Sequence, residues 1–392
     1  MLGELNKFQC VSCGACANAC RVGAITMTAD DEGFLYPTVD SKKCVDCGKC
    51  KKACPIITRP ANHGKILNVY AAYNNDLQTL KSSSSGGIYR LIALEILRRG
   101  GAVFGVAFDD DFKAKHICVE QEAQLLATQG SKYIPSAVGD CYSRAEKMLK
   151  DGRYVLFTGT PCQIAALKTY LGKDYEKLYT QDFICHGVLS PSLFEMYLKY
   201  QSECHGNSEV KKVFFRDKTR SWYDFDIRID FENGQTYLCN HDQDMLFTAF
   251  LHNHALRYSC YNCVFKTPEK HSDISLGDYW GIKTAHPEAY NENGTSIVFI
   301  QSEKGKELFE SVRNHMCCVE TDPKLAIGHN LSMIKAYKIP KTRKKLFTQI
   351  EKMGFEKAVK KTIHVSFFTK VKNKLKCEYT KLVDKHKNSV KR

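Results

Sequence analysis

Two runs of four cysteines with the same spacing lie within the first 54 residues of this 392-residue chain. The first run comprises Cys10, Cys13, Cys16 and Cys20, and the second comprises Cys44, Cys47, Cys50 and Cys54. In each run three thiols recur every third residue and the fourth lies four residues further on. One run alone could be a zinc site or, less often, a disulfide-bonded motif. Two runs with identical spacing argue against both readings.

The spacing is that of bacterial two-cluster ferredoxins, in which the fourth cysteine of each run ligates the other run's cluster. It therefore predicts one [4Fe–4S] cluster on Cys10, Cys13, Cys16 and Cys54, and a second on Cys44, Cys47, Cys50 and Cys20. The segment between the runs reads as a short hairpin that turns at Asp30 to Gly33. Residues 1–60 are accordingly expected to form a compact α+β module that carries electrons.

Composition indicates the compartment. No apolar run is long enough to span a bilayer, and the first residues lack the apolar core of a signal peptide. The 19 cysteines could suggest a disulfide-rich secreted protein, but secreted scaffolds of that cysteine density are small. Eight of the cysteines are assigned to clusters, which need reduced thiolates. The expected location is cytoplasmic.

The net charge of +14 comes entirely from the C-terminal segment 335–392. That segment carries 17 Lys and 2 Arg against 4 acidic residues, whereas residues 1–334 are close to neutral. Leu346, Ile350, Met353 and Phe355 lie near one helical face. A basic amphipathic helix of this kind binds an acidic partner or an anionic membrane surface. The alternative is a helix pair that packs on the body. A nucleic-acid partner is not expected, because no aromatic platform accompanies the lysines.

Strand and helix signals alternate through the body of the chain. Strands are predicted over 68–74, 101–108 and 154–159, and helices over 88–99, 137–150 and 160–171. A hairpin is predicted at Asp224 to Phe231, with a turn at Asn233-Gly234. The pattern indicates an α/β domain over 65–334, between the ferredoxin module and the basic helical tail of residues 335–392.

Four further cysteines are candidates for a third metal–sulfur site. Cys162 follows Thr160 and Pro161, which suit the N-cap and first position of a helix, and a thiolate is favoured in the first turn. Cys185 follows a predicted strand, and Cys260 and Cys263 form a Cys-x2-Cys pair. Zinc remains an alternative to an iron–sulfur cluster here. The remaining cysteines are taken as small buried side chains: Cys118, Cys141, Cys204, Cys239, Cys317, Cys318 and Cys377.

Seven segments of the body resemble the family formed by the beta subunits of coenzyme F420 hydrogenases and dehydrogenases, in the bacterial form with a ferredoxin module in front. They are Lys81-Ser-Ser-Ser-Ser-Gly-Gly, Gly130-Ser-Lys-Tyr, Thr158-Gly-Thr-Pro-Cys-Gln-Ile-Ala-Ala-Leu, Phe183-Ile-Cys-His-Gly-Val, Phe215-Arg-Asp-Lys, Ser259-Cys-Tyr-Asn-Cys-Val-Phe-Lys and Ser272-Asp-Ile-Ser-Leu-Gly-Asp-Tyr-Trp-Gly. The resemblance implies an α/β flavoprotein that binds FAD, with a [4Fe–4S] cluster near the flavin on Cys162, Cys185, Cys260 and Cys263.

The flavin residues follow partly from chemistry and partly from this resemblance. A Ser/Gly run before a helix offers backbone N–H groups to a pyrophosphate, although the same run could be a flexible loop. The candidates for binding FAD are Ser84, Ser85, Gly86, Gly87, Ser131, Lys132, Tyr133, Thr158, Gly159 and Thr160. Six basic or aromatic residues near the clusters are further surface candidates, each more often structural: His186, Arg216, Lys218, Trp222, Arg257 and Trp280. No catalytic residue is singled out.

Two functions fit these features. The first is an iron–sulfur flavoprotein oxidoreductase. It would take electrons from a low-potential donor such as ferredoxin and pass them through the clusters and FAD to a small organic acceptor. The acceptor would be coenzyme F420 or an intermediate of surface-polysaccharide synthesis. The second function is an electron-relay subunit without a substrate of its own, which docks to a partner complex.

Overall fold

The computed structural model describes residues 5–60 and 64–363. Phe367, Phe368 and Cys377, which belong to the predicted tail, lie outside these residues. Within the described part of the chain, no helix is both long and apolar enough to cross a membrane.

The N-terminal module has the predicted hairpin and two short helices. They are α1 (Ala15–Ala19), β1 (Ile25–Ala29), β2 (Leu35–Val39) and α2 (Lys49–Lys52). The two strands are antiparallel, with Ile25 opposite Val39. The carboxylate of Asp30 accepts hydrogen bonds from the backbone N–H groups of Glu32 and Phe34 and so closes the turn.

The two cysteine runs follow the same backbone path. Ser12 and Asp46, at equivalent places in their runs, both have positive φ, and so do Gly14 and Gly48 two residues later. Each glycine directly precedes its helix, so one left-handed turn starts both α1 and α2. The repeat visible in the sequence is therefore also a repeat in conformation.

An eight-stranded mixed sheet forms the centre of the body, in the order β13-β3-β12-β11-β7-β6-β4-β5. The strands are β3 (Asn68–Asn74), β4 (Ala102–Phe108), β5 (Ala114–Val119), β6 (Val155–Thr158), β7 (Leu178–Phe183), β11 (Ile274–Asp278), β12 (Ser296–Ile300) and β13 (Met316–Glu320). Strands β4, β6, β7 and β11 are parallel neighbours. Because β12 is antiparallel to both β11 and β3, strand β3 also points their way. The carboxyl ends of five strands thus share one edge, where α/β sheets usually bind ligands.

Helices connect and cover these strands. They are α3 (Leu77–Ser82), α4 (Ile88–Arg98), α5 (Leu125–Thr128), α6 (Cys141–Lys150), α7 (Pro161–Leu171), α8 (Pro191–Cys204), α9 (Met245–Leu251), α10 (Ile282–Ala285), α11 (Glu303–Val312), α12 (Pro323–Gly328), α13 (Arg343–Met353) and α14 (Phe355–Thr362). Helix α6 begins four residues later than the sequence predicts, because Gly139 takes a left-handed conformation just before it. The predicted N-cap of α7 is confirmed: Thr160 and Gln163 form a capping box, with Pro161 at the first position.

The predicted hairpin lies outside the central sheet. Strands β8 (Val210–Asp217), β9 (Asp226–Phe231) and β10 (Thr236–Asn240) form a separate three-stranded antiparallel sheet. Its apolar side chains, including Ile227, Ile229 and Phe231, share one core with residues of α8 and α9. The sequence pattern predicts the hairpin correctly but not its partner strand, since that pairing depends on contacts distant in sequence.

The described part of the basic tail packs against this same core. Leu346, Ile350, Phe355 and Ile363 are buried in it. Met353 is only partly buried at its edge. The lysines of α13 and α14 are exposed on the opposite side of the helices. The apolar stripe that could have bound a membrane is therefore covered by the protein itself.

Candidate metal centres and cofactor site

The structure brings Cys54 to the first cysteine run. Cys16 and Cys54 are both buried in one small apolar cluster with Leu5, Ile25 and Met27 around it. Burial raises the pKa of Cys16 to about 12, and the neighbouring Cys10 and Cys54 thiolates add to the shift. Cys13 is buried as well, and Cys10 is half-buried. These four thiols are therefore gathered in one largely water-free place, which suits the grouping that the spacing predicts.

The second run lies closer to solvent. Cys47 is exposed, and Cys44 and Cys50 are half-buried. The Cys44 and Cys47 thiolates are close enough to Cys50 to contribute to its raised pKa, after the larger effect of burial. Cys20 is the C-cap residue of α1, and this helix packs against α2. The two ferredoxin sites thus differ in solvent exposure, with the second-run site on the outside.

Cys162, Cys185, Cys260 and Cys263 all line one small cavity, of about 30 Å³. Cys162 is held in the first turn of α7, at the carboxyl end of β6, and the Thr160 hydroxyl lies 3.1 Å from its Sγ. Cys185 follows the carboxyl end of β7. Cys260 lies in a short 3₁₀ helix over Tyr258–Asn262, and Cys263 directly follows that helix. Three segments distant in sequence therefore supply four thiols to one space, and four thiolates are the donor set of a [4Fe–4S] cluster.

Burial strongly disfavours free thiolates at this third site. It raises the pKa of Cys185 to about 12 and that of Cys263 to about 11. Three basic residues line the same cavity: Arg257, Lys266 and Lys270. Positive charge there compensates the negative charge of a cluster held by four thiolates. In the described residues, no three His, Cys, Asp or Glu side chains converge to hold a single metal ion.

Arg257 lies between the third site and the first run. Its guanidinium is buried, and Nε donates a hydrogen bond of 3.0 Å to the Ser259 hydroxyl. Burial alone would lower its pKa, but the neighbouring Cys260, Cys162 and Cys10 thiolates together raise it. One cation thus faces cysteines from both sites.

The ferredoxin module packs directly on the third site. Val11, which follows the first cysteine of run one, lines the cavity. Helix α1 contacts α7, and the Thr169 hydroxyl on α7 donates a 2.8 Å hydrogen bond to the carbonyl of Ala53. The three cysteine sites are therefore ordered in space, with the second run outermost, the first run in the middle and the third site inside the body.

The two loops predicted to bind flavin meet at the carboxyl edge of the sheet. The Ser84 hydroxyl accepts hydrogen bonds from both the backbone N–H and the hydroxyl of Ser131, each 2.8 Å long. Arg216 donates to the Ser84 carbonyl and forms a two-point ion pair with Asp278 at the end of β11. Tyr133 packs on Phe215 and Phe250. Ser85 bonds to the Thr295 carbonyl.

Two half-buried lysines beside these loops direct their ammonium groups to backbone carbonyls. Lys132 donates to the carbonyls of residues 127, 129 and 130, and burial lowers its pKa to about 8. Lys218 donates to the carbonyls of residues 80, 85 and 293, and burial lowers its pKa to about 7, with nearby Arg216 adding to the effect. A nearby anion such as a diphosphate would favour the positively charged form of both lysines. The loops fit an anionic cofactor in this respect.

Gly86 has a packing role that the sequence does not reveal. A Cβ there would come within 2.4 Å of the Ala72 carbonyl oxygen on β3, and its N–H donates to the Ser296 hydroxyl on β12. Gly87, with φ of +75°, is the N-cap of α4. Thr158 ends β6 and bonds to the Phe104 carbonyl, and Gly159 and Thr160 continue to the third site. Within the Ser-Gly run, Gly86 therefore packs against the central sheet, which leaves no room for a side chain.

Some sequence-based expectations are corrected by burial. Trp222 is fully buried, its indole N–H donating to Asp278, and Arg257 is also buried. Arg216 has a side chain only 4% exposed, His186 packs between Phe250 and Tyr337, and Lys218 and Trp280 are only partly exposed. These residues therefore do not form a surface site. Cys204, expected to be buried, is exposed at the end of α8.

Sequence reasoning also missed two residues of the third site. Lys266 donates hydrogen bonds to the carbonyls of Cys185, His186 and Ser332 and so ties the loop after β7 to a later segment. Lys270 donates to the carbonyls of Phe265 and Met333. The sequence signal that could have identified these two lysines is their position shortly after the Cys260–Cys263 pair.

Comparison with known proteins agrees with this arrangement. Residues 69–141 match the model of the N-terminal region of the coenzyme F420 hydrogenase/dehydrogenase beta subunit, and residues 152–326 match that of its C-terminal region. Residues 9–56 match a 4Fe-4S dicluster domain. The chain therefore belongs to the family of coenzyme F420 hydrogenase/dehydrogenase beta subunits, with a two-cluster iron–sulfur domain in front, as the motifs predict.

The chain is also similar to a curated protein and to a chain in a solved structure. The chain is 22% identical over 329 residues to a component of the F(420)H(2) dehydrogenase of Methanosarcina mazei, covering 80% of this chain and 85% of that protein. A chain of the F420-reducing [NiFe] hydrogenase complex from Methanosarcina barkeri aligns with a TM-score of 0.48 and 17% identity, over 74% of this chain and 94% of that one. The family and the dicluster domain identify this chain as an iron–sulfur electron-transfer protein.

Proposed function

We propose that this chain is an iron–sulfur flavoprotein oxidoreductase that moves electrons between an external carrier and a small organic acceptor. The second run, with Cys20, would hold an outer [4Fe–4S] cluster, the first run with Cys54 a middle one, and the third site an inner one. When bound, these clusters would carry single electrons, and FAD would exchange them for a two-electron or hydride transfer.

The observation that carries this proposal is the spatial order of the three cysteine sites. The outer site has an exposed thiol at Cys47, the middle site is mostly buried, and the inner site lies at the carboxyl ends of β6 and β7. Val11 and Arg257 bridge the middle and inner sites. Such an order connects the surface of the protein to the edge of the sheet.

The flavin is proposed for that same edge. Ser84, Ser131, Lys132 and Lys218 come together there from three separate segments, and Thr160 borders the inner cysteine site. The two lysines would hold the diphosphate of FAD, since within the described residues their ammonium groups donate to neutral carbonyls rather than to carboxylates. A site in this position would place FAD beside the inner cluster.

Coenzyme F420 is the first acceptor to test, because the name of the Methanosarcina mazei relative contains that coenzyme. The experiment is anaerobic purification of the full chain, followed by iron, sulfide and flavin analysis. We expect about twelve irons and one FAD per chain. The loaded protein is then reduced with a chemical reductant, and its reduction of F420 is followed by spectroscopy. A loaded protein that reduces no acceptor would instead support an electron-relay subunit.

The flavin site itself is tested by variants with altered charge. Lys132→Met and Lys218→Met should each weaken FAD retention at least tenfold, about 1.4 kcal/mol of binding free energy. Lys113→Met is the matched control, because this lysine is exposed at the β4–β5 turn. Equal FAD content in all three variants would exclude this site. Gly86→Asp is unsuitable as a test, because a side chain there collides with β3 whether or not flavin binds.

A further inference from the structure

The second-run site has the most accessible thiol of the three cysteine sites. Cys47 is exposed, whereas Cys13, Cys16 and Cys54 of the middle site and Cys260 of the inner site are buried. A carrier protein that exchanges electrons with this chain has to approach one of the sites closely. Among the described residues, the surface around Cys47 is the place where the least protein intervenes.

The charge of the ferredoxin module is divided between its two halves. Residues 40–59, which contain the second run, carry six basic and two acidic residues, whereas residues 1–39 carry two basic and four acidic residues. The basic side chains of the second half lie on the surface: Lys42, Lys43, Lys49, Lys52 and Arg59 are exposed. One of the two acids, Asp40, lies 3.7 Å from Lys43 and offsets a single charge.

Apolar side chains accompany these lysines. Val45, two residues before Cys47, is 66% exposed, and Ile57 is 42% exposed. An apolar centre with a charged rim is the composition of protein–protein interfaces. Small interfaces of this kind are typical of short-lived electron-transfer complexes.

We propose that the exposed surface of residues 40–59, the second-run surface, is the docking site for a small acidic electron-carrier protein. The proposal rests on the proposed function and adds the place and the chemistry of the carrier. Opposite charge on the carrier would speed its encounter and orient its own redox centre toward Cys47. A membrane is a poorer match, because α2 is only four residues long and forms no amphipathic face.

The test compares two fourfold charge reversals in the full, cluster-loaded chain. The first replaces Lys42, Lys43, Lys49 and Lys52 with Glu. The matched control replaces Lys344, Lys345, Lys352 and Lys357 with Glu, which makes the same charge change on the exposed face of α13 and α14. The probe is an acidic two-cluster ferredoxin, and its binding is measured anaerobically by calorimetry and stopped-flow at low salt and at about 150 mM salt. Iron and sulfide content should equal wild type in both variants, since no substituted residue is a cysteine.

We expect the first variant to bind the ferredoxin at least tenfold more weakly at low salt, with a smaller difference as salt rises, and the control to bind within about twofold of wild type. Equal weakening in both variants would show a non-specific charge effect and overturn the proposal. Loss only in the control would assign docking to the tail. Anionic vesicles that bind wild type but not the first variant, with ferredoxin binding unchanged, would identify a membrane surface instead. Failure of the proposed function would be distinguishable from failure of this docking proposal. It would appear as wild-type protein that contains no clusters or whose clusters are not reduced by a chemical reductant.

Discussion

The buried side chain of Arg343 forms a two-point ion pair with the half-buried Glu32, which precedes it by 311 residues. Nη1 of Arg343 lies 2.7 Å from Oε1 of Glu32, and the arginine side chain is only 1% exposed. The same guanidinium donates to the Leu256 carbonyl and the Tyr261 hydroxyl, and it lies over the ring of Tyr258. One side chain at the start of α13 therefore connects the ferredoxin hairpin, the Cys260–Cys263 segment and the C-terminal helices.

This pair predicts a specific loss of stability. Removing the Glu32 carboxylate leaves the buried charge of Arg343 uncompensated, so Glu32→Gln should lower the free energy of unfolding by about 3 kcal/mol. Arg343→Met should cost a similar amount, and the double variant should lose less than the sum of the two. Anaerobic denaturant unfolding measures all three.

Lys7 and Asp30 provide the matched control. They form a 2.7 Å ion pair in the same module, but the Lys7 side chain is 51% exposed. Lys7→Met should therefore change the free energy of unfolding by less than about 1 kcal/mol. Additive losses in the Glu32 and Arg343 double variant would show that the two side chains act independently.

Truncation of the tail should separate its packed part from the remainder. A chain that ends at Ile363 keeps every contact described for α13 and α14 and should retain its fold and iron content. A chain that ends at Thr342 loses Arg343 and the buried Leu346, Ile350 and Phe355. Each such apolar side chain contributes about 1.5–3 kcal/mol when fully buried. The shorter chain should therefore be insoluble or depleted in iron, as judged by circular dichroism and iron analysis. Two equally stable truncated chains would contradict the structure of this region.

The third cysteine site makes a prediction about iron stoichiometry. Cys162→Ala and Cys263→Ala should each reduce the iron content from about twelve to about eight per chain, with the clusters of the ferredoxin module retained. Cys141→Ala is the control. Its thiol is buried away from the cavity near the His116 carbonyl, so the iron content should not change. Twelve irons in the Cys162 variant would remove this cysteine from the ligand set.

Local sequence signals predicted much of this architecture. The cysteine spacing predicted the dicluster module, and the Thr160-Pro161 pair predicted the start of α7, because cap chemistry depends on neighbouring residues. Strand β3 has the predicted ends, since a short apolar run between polar residues marks a buried strand. Local motifs made Cys162, Cys185, Cys260 and Cys263 candidates for one metal–sulfur site, and the resemblance to a known family implied that its metal is a [4Fe–4S] cluster.

Contacts distant in sequence were not predictable in the same way. The pairing of Glu32 with Arg343 gives no periodic signal in either segment. Arg257 and Trp222 read as surface candidates because nothing local shows that neighbouring elements cover them. Gly86 reads as a phosphate-binding glycine, although the close approach of β3 and β12 is what excludes a side chain. Tertiary packing decides the ion pair, the burial of these side chains and the need for a glycine. Packing of this kind is not visible in the local pattern of a single sequence.

His116 predicts how stability depends on pH. Its ring is buried on β5, and Nε2 lies 2.9 Å from the Thr158 carbonyl oxygen, to which it donates. Burial lowers the pKa of His116 from 6.5 to about 4, against the opposing effect of the hydrogen bond to Thr158. At a pH between these two pKa values, His116 carries a proton in the unfolded chain but not in the folded chain. The contribution of neutral His116 to the free energy of unfolding is therefore fully present above about pH 6.5. It is lost as the pH falls toward 4, by about 1.4 kcal/mol per pH unit.

His116→Gln should remove this part of the pH dependence, because the Gln amide can still donate to the Thr158 carbonyl but does not titrate. Anaerobic unfolding at about pH 7 and pH 5.5 should show wild type losing about 1.4 kcal/mol more than the variant over that interval. His315→Gln is the control, since His315 is exposed and its replacement should leave the wild-type dependence. A His116→Gln variant that loses as much stability as wild type over this interval would show that the ring is protonated or hydrated in the folded protein.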